Sequence, residues 1–141
     1  MSSALNELAA GLRHEAVMTV DTRHLVPSVG FGWPGFADMP PVFATAMLVG
    51  FIEQTCIELL RPHYLPGQHS VGTEIAVSHD APTGAGRQVK AKVELIAVEG
   101  RMLTFAVEAS DDAGVIGGGL HRRALIDVAR FMSRLETRYT A

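Results

Sequence analysis

The sequence predicts an α+β fold in which a curved antiparallel sheet wraps one long buried helix. Two patterns carry that prediction. Residues 43–60 place ten apolar side chains around every side of a helix, and a helix apolar all round is a buried one. After residue 68 the hydrophobic period falls to two, the mark of strands with one face in a core. A chain of 141 residues suits one domain, so residues 1–141 are read as a single unit.

Each element follows in order. Residues 1–13 read as a short helical or frayed lead-in, and 14–20 as a weak strand. Residues 27–41, PSVGFGWPGFADMPP, hold four prolines and three glycines, which rules out a regular helix or a central strand. The same stretch carries Phe31, Trp33, Phe36 and Met39. A solvated linker has no use for four large apolar side chains, so this loop is expected to pack down as a lid over a pocket. The helix at 43–60 is stopped by Pro62, with a turn at Pro66-Gly67. Strands are expected at 69–79 and 87–98. In the second, Val89, Ala91, Val93, Leu95 and Ala97 share one face, and Lys90, Lys92 and Glu94 the other. Glu99-Gly100-Arg101 makes a tight turn, after which Leu103, Phe105, Val107 and Ala109 alternate again. Asp111-Asp112-Ala113-Gly114 is the next turn. A last strand over 115–129 is interrupted by Gly117-Gly118-Gly119, which implies a bulge or a close approach by a ligand or another backbone.

Composition narrows the function classes. Hydrophobic residues make up 48% and charged residues 19%, enough apolar material for a core. The net charge of −3 gives no sign of the basic face that nucleic acid requires. No basic amphipathic run for a membrane surface stands out either. The apolar stretch at 42–52 is shorter than the ~20 residues that span a bilayer, and Glu53 closes it. The N-terminal stretch contains Glu7 and Arg13 and no sustained apolar run, so it does not read as a secretory signal. One cysteine, Cys56, permits no intrachain disulfide, and a reducing, cytoplasmic location is expected.

Among residues able to do chemistry, Glu53 is the most informative. Val49, Gly50, Cys56 and Ile57 lie one turn either side of it. A carboxylate in that setting must be paired or protonated, and desolvation is expected to raise its pKa toward the range of acid–base work. The bland alternative is that Glu53 reaches a surface or pairs with a partner subunit. Thr45 stands at the helix start, where a hydroxyl ordinarily caps an amide. His79 closes the first long strand, a place where histidines are usually exposed. His121-Arg122-Arg123 reads first as a solvated edge, and second as a phosphate-binding patch. There is no G-x-S-x-G elbow, P-loop or H-E-x-x-H motif. The six histidines and one cysteine show no metal-ligand spacing, so neither a metal nor a cofactor is expected.

The segments FADMPPVFATAMLVGFIEQTCIELL, SVGTEIAVSHDAPTGAGRQVKAKVELIAVEGRMLTFAVEASDD and GGGLHRRALIDVARF together resemble the fluoroacetyl-CoA thioesterase family of the hotdog-fold superfamily. The resemblance runs from about residue 22 to 131. It rests on V-F-A-T, V-G-(x)2-E, the cysteine three residues after that glutamate, G-T-x-I-x-V-x-H and V-E-G-R, all in order. It implies a single hotdog fold and hydrolysis of a small or apolar acyl-CoA, with coenzyme A part of the substrate. It places the family's catalytic trio on Thr45, Glu53 and His79, and substrate contacts on Gly72, Phe36, Met39 and Arg123. Where the family has a second lid aromatic this chain has Met39, a change that bears on which acyl group is selected and not on thioester hydrolysis. The resemblance also implies a homodimer with its site between protomers, and leaves open whether dimers pair further. Two other readings of a hotdog chain stand beside hydrolysis: a non-catalytic acyl-CoA or ligand binder, and a hydratase or dehydratase. A purely structural dimer module would account for the apolar helix but not for Glu53 within it.

Overall fold

The computed structural model describes residues 8–140. Five strands form one antiparallel sheet in the order β1-β3-β4-β5-β2. They are β1 (Arg13–Thr19), β2 (Gln68–Val77), β3 (Gln88–Glu99), β4 (Met102–Asp111) and β5 (Gly114–Asp127). Three α-helices accompany them: α1 (Pro34–Ala37), α2 (Thr45–Leu60) and α3 (Val128–Arg138). Residues 1–7 of the expected lead-in lie outside the described residues, and 8–12 are not helical.

The sheet curls because its ladders slip at Gly72/Glu74, Leu95/Ala97 and Ala109/Ser110, and each such bulge bends its strand and adds twist. The concave face carries the alternating residues read from the sequence. Val89, Ala91, Val93, Leu95, Leu103, Phe105, Val107 and Ala109 are all buried in one cluster with α2. Ala97, beyond a bulge, is only half-buried.

The expectation that α2 is buried all round needs correction. Leu48, Phe51, Ile52, Thr55, Cys56, Leu59 and Leu60 are buried, while Ala46, Gly50 and Gln54 are exposed and Val49, Glu53 and Ile57 half-buried. One curled sheet covers one side of a helix. The uncovered flank adjoins β2, an edge strand whose residues from Gly72 to Ala76 are exposed. No helix among the described residues is long and apolar enough to cross a membrane.

The last strand ends at Asp127, not residue 129. Its carboxylate accepts a hydrogen bond from the Arg130 amide, at 3.0 Å, and so caps α3. This helix has no counterpart in the sequence reading, and it corrects the statement that no basic amphipathic run exists. Arg130, Arg134 and Arg138 recur at helical spacing beside exposed Phe131, Met132 and Leu135.

Both readings of the three glycines hold: the β4–β5 ladder slips beside Gly117, and each glycine lies against a neighbouring backbone. A Cβ on Gly117 would run into the Ser78 carbonyl oxygen, and one on Gly118 would lie 2.8 Å from that of Val107. Replacing Gly117 with alanine is therefore expected to push the 78–80 segment off β5 and to destabilise the protein by about 1–3 kcal/mol. Urea denaturation checks this; an unchanged midpoint would show that the two backbones do not meet there.

Candidate active site

The start of α2 is pinned by two backbone bonds, Phe43 N–H to the Thr83 carbonyl at 2.8 Å and Ala44 N–H to that of His24 at 2.9 Å. Ala44 is the N-cap and supplies no side-chain bond, so Thr45 is the first helical residue and not the expected cap. Its hydroxyl instead meets His79 Nδ1 at 2.8 Å. His79 stands two residues beyond the end of β2. Ser78 N–H donates to the Gly118 carbonyl at 2.9 Å and Asp80 N–H to that of Ile116 at 2.6 Å, which holds the histidine over the glycines of β5. The ring edge faces Phe43. Nε2 is buried and has no hydrogen-bond partner among the described residues. Burial lowers the His79 pKa below the ordinary 6.5, against the opposing charge of Asp80. The imidazole is thus neutral at pH 7, and a neutral imidazole beside a hydroxyl is a proton acceptor.

The second cluster forms around Arg123. The trio read first as a solvated edge splits: Arg122 points out toward Glu74, while His121 and Arg123 turn inward and are buried. The Arg123 guanidinium donates to Ser70 Oγ and the Ser70 carbonyl, both at 2.9 Å, and to Glu53 Oε1 at 3.0 Å. His121 Nδ1 lies 2.8 Å from the Glu74 carbonyl oxygen. A carbonyl only accepts, so Nδ1 carries the proton and Nε2 accepts from Arg123 Nη1 at 3.2 Å. Tyr64 Oη joins Ser70 Oγ at 2.7 Å. Glu53 is accordingly paired, and it keeps 37% of its side chain exposed. Four of the Arg123 hydrogen-bond donors are engaged within the protein and its side chain is buried, which argues against the phosphate-patch reading. A Cβ at Gly72 would come within 2.7 Å of Glu53 Oε1, so a side chain there would displace the carboxylate from its place beside Arg123. Glu53, Gly72, Thr73, Glu74, Ile75 and His121 line an open cleft of about 300 Å³.

The protomer does not bring all the sequence-identified residues together. Thr45 joins His79, and Glu53 joins Gly72 and Arg123, but eight residues of regular helix separate Thr45 from Glu53 by about 12 Å. Ser70 and Tyr64 are not among the sequence candidates, and His121 is there only as part of an edge or a phosphate patch, not as a partner of Arg123. The one available signal for His121 was its place two residues before Arg123, on the same face of a strand.

The lid differs from expectation. Phe31 is fully exposed, Trp33 and Met39 largely so, and only Phe36 is half-buried, packed edge-on to Trp33 at 5.7 Å. Phe31 lies between Gly30 and Gly32 with a φ of 53°, left-handed like both neighbours. Among the described residues, Trp33 and Phe36 pack over Gly30, while Phe31, Trp33 and Met39 keep much of their apolar surface in solvent. Cys56 is buried in the core, and desolvation pushes its thiol pKa up to about 12; it is not a nucleophile.

Comparison with known proteins points one way. The sequence profile of a family described as fluoroacetyl-CoA-specific thioesterase matches residues 28–129. A fluoroacetyl-CoA thioesterase of Streptantibioticus cattleyicolor is 40% identical over 119 residues, covering 84% of this chain and 83% of that protein. The solved structure of the fluoroacetyl-CoA thioesterase FlK superposes with a TM-score of 0.90 at 36% identity, over 95% of this chain and 98% of that one. A hot-dog-like protein of Thermanaerovibrio acidaminovorans, 22% identical, superposes at 0.82 over 99% of this chain and 97% of its own, which speaks for the fold.

The two inward histidines have a consequence for stability. Burial lowers both pKa values from 6.5. Just below that pH the unfolded chain binds protons that the folded chain refuses, so acidification favours unfolding. The urea midpoint is expected to fall as pH drops through about 6.5 and to go on falling until the folded histidines protonate too. The decline should be shallower in a His121→Asn variant, and equal slopes for the two proteins would contradict the assignment.

Proposed function

Since the chain belongs to the fluoroacetyl-CoA-specific thioesterase family and is an acyl-CoA thioester hydrolase, we propose that it cleaves a short acyl-CoA in sites each shared by two copies of the chain. The observation that carries this reading is the division of the functional residues into two clusters too far apart to act together in one protomer. The surface around both is unfinished. The β2 edge and the neighbouring flank of α2 carry exposed Ile75, Ala76, Ala46 and Gly50. Two β2 strands paired antiparallel about a two-fold axis near Ile75 would join the sheets. That pairing sets Gly72 and Glu53 of one subunit beside the segment holding His79 of the partner subunit. It also gives the lid of each protomer something to cover.

In the shared site, Arg123 fixes one oxygen of Glu53 and leaves Oε2 open toward the cleft. That oxygen takes a proton from water as the water oxygen bonds to the thioester carbon. The Gly72 N–H faces the developing oxyanion. When the C–S bond breaks, the proton held by Glu53 moves on to the departing thiolate through the neutral Thr45–His79 pair, which takes one proton and gives one, so that Glu53 is again a carboxylate and the products are the free acid and coenzyme A. Coenzyme A belongs to the substrate, and no other cofactor enters the reaction. Phe36 and Met39 close over the acyl group. Methionine is flexible where a ring would be rigid, so the acyl preference is broader than fluoroacetyl alone. The setting is cytoplasmic, where acyl-CoA esters and a free Cys56 both belong.

Glu53→Gln and His79→Ala should each fold normally and lose ~10²-fold or more in kcat/KM, read by thiol release from a panel of acyl-CoAs. Mixing the two dead variants and allowing subunits to exchange tests the sharing. One wild-type-like site forms per mixed dimer, so activity should return to about a quarter of wild type; silence after proven exchange would return the whole site to one chain. Met39→Phe should change the discrimination between small acyl groups by ~1–3 kcal/mol, and an unmoved acyl profile would remove Met39 from the pocket.

A further inference from the structure

A second hollow, of about 510 Å³, lies between α3 and the convex face of the sheet, lined among others by Val71, Thr73, Arg101, Phe131, Arg134 and Arg138. It continues into a smaller hollow beside Arg130. Resting on the acyl-CoA reading above, we propose that this groove holds the nucleotide end of the substrate, with the arginines on its phosphates and Phe131 under its adenine.

Three observations support the assignment. The charge is concentrated and has no carboxylate partner among the described residues, although Arg138 lies over the Tyr139 ring at 5.8 Å. Arg130, Arg134 and Arg138 follow one another at i, i+4 and i+8, and Arg101 is brought beside them by the β3–β4 turn. All four are exposed, and none forms an ion pair with a carboxylate among the described residues. Four guanidiniums at one groove in a chain of net charge −3 repel one another, a cost that a polyanionic ligand offsets. Asp127, at the far end, engages the Arg130 amide. The wall is also aromatic. Phe131 is 39% exposed and Leu135 41%, which offers an apolar surface of the kind on which a base stacks. Finally, the groove joins the catalytic cleft. Thr73 lines both hollows; it stands at the β2 bulge, with its hydroxyl on the Arg122 carbonyl. An acyl-CoA seated at Gly72 would leave the cleft ahead of the paired part of β2, beside Val71, which lines the groove, and so bring its phosphates to the arginines. Such remote contacts supply binding energy that a truncated substrate lacks.

The test compares an acyl-CoA with the same acyl group on pantetheine, in the wild type and in an Arg101→Gln/Arg134→Gln/Arg138→Gln variant. The wild type should prefer the CoA ester by roughly tenfold or more in kcat/KM, and the triple variant should lose that preference through KM. Calorimetry with adenosine 3′,5′-bisphosphate on the wild type should show binding that weakens with salt and weakens again in the variant. An unchanged ratio of the two esters, or equal bisphosphate binding by both proteins, overturns the proposal. So does tighter binding to phosphatidylglycerol vesicles than to the bisphosphate, which would give the arginines to a lipid surface. If neither ester is hydrolysed, it is the thioesterase reading that fails, and the calorimetry still decides the groove. Should the triple variant unfold, Arg138→Gln alone replaces it in both arms.

Discussion

The site is organised by one buried positive charge. Arginine keeps its proton under all ordinary conditions, so a guanidinium only 3% exposed must find acceptors on every side or make folding costly. Arg123 finds them on three different elements: Ser70 on β2, Glu53 on α2 and His121 beside it on β5. The requirement spreads outward. A side chain on Gly72, directly opposite Arg123 in the ladder, would displace the Glu53 carboxylate. His121 has to stay neutral, because a protonated ring would set two cations side by side. Sheet register, helix position and the direction of Glu53 are thereby determined together, so a pairing that looks structural also aims the carboxylate into the cleft.

Much of this was legible in the sequence, and the reasons are specific. Period-two alternation located β3 and β4 closely, because each has one face in the core and the other in water. The break at Pro62 bounded α2. Glu53 stood out because a carboxylate among Val49, Gly50, Cys56 and Ile57 needs a reason. The partner that provides it, Arg123, lies 70 residues away and reaches Glu53 only through the antiparallel pairing of β2 with β5; no local pattern carries such a contact. Resemblance to a family pointed to Arg123, but as a substrate contact, whereas its geometry shows a residue that holds another in place. Helix α3 escaped notice because its apolar residues stay exposed and its basic ones draw the eye toward a solvated tail. The lid departs from expectation at its exposure: four large apolar side chains imply contact with something apolar, but the described residues cover only Phe36 in part and leave Phe31, Trp33 and Met39 exposed.

Several features that look unfinished share an origin. On the proposed reading of a site shared by two chains, the bare β2 edge, the uncovered flank of α2 and the divided functional residues belong to one surface that a second copy would cover. An exposed flat edge strand is ordinarily a hazard. Here it carries Gly72 and adjoins the flank of α2 that carries Glu53, so the surface that risks aggregation is the one the proposed pairing would close.

The burial of Cys56 has its own consequence for a catalyst of this type. Every turnover releases a thiol into the cleft, and thiols exchange with whatever accessible sulfur chemistry they meet. A cysteine with an ordinary pKa near Glu53 would be open to mixed disulfides with the departing coenzyme whenever conditions turned oxidising. Cys56 lies one helical turn from that carboxylate, yet its sulfur faces the core and its thiol stays protonated to about pH 12. The protein can therefore make a reactive thiol without offering that product a sulfur of its own to attack.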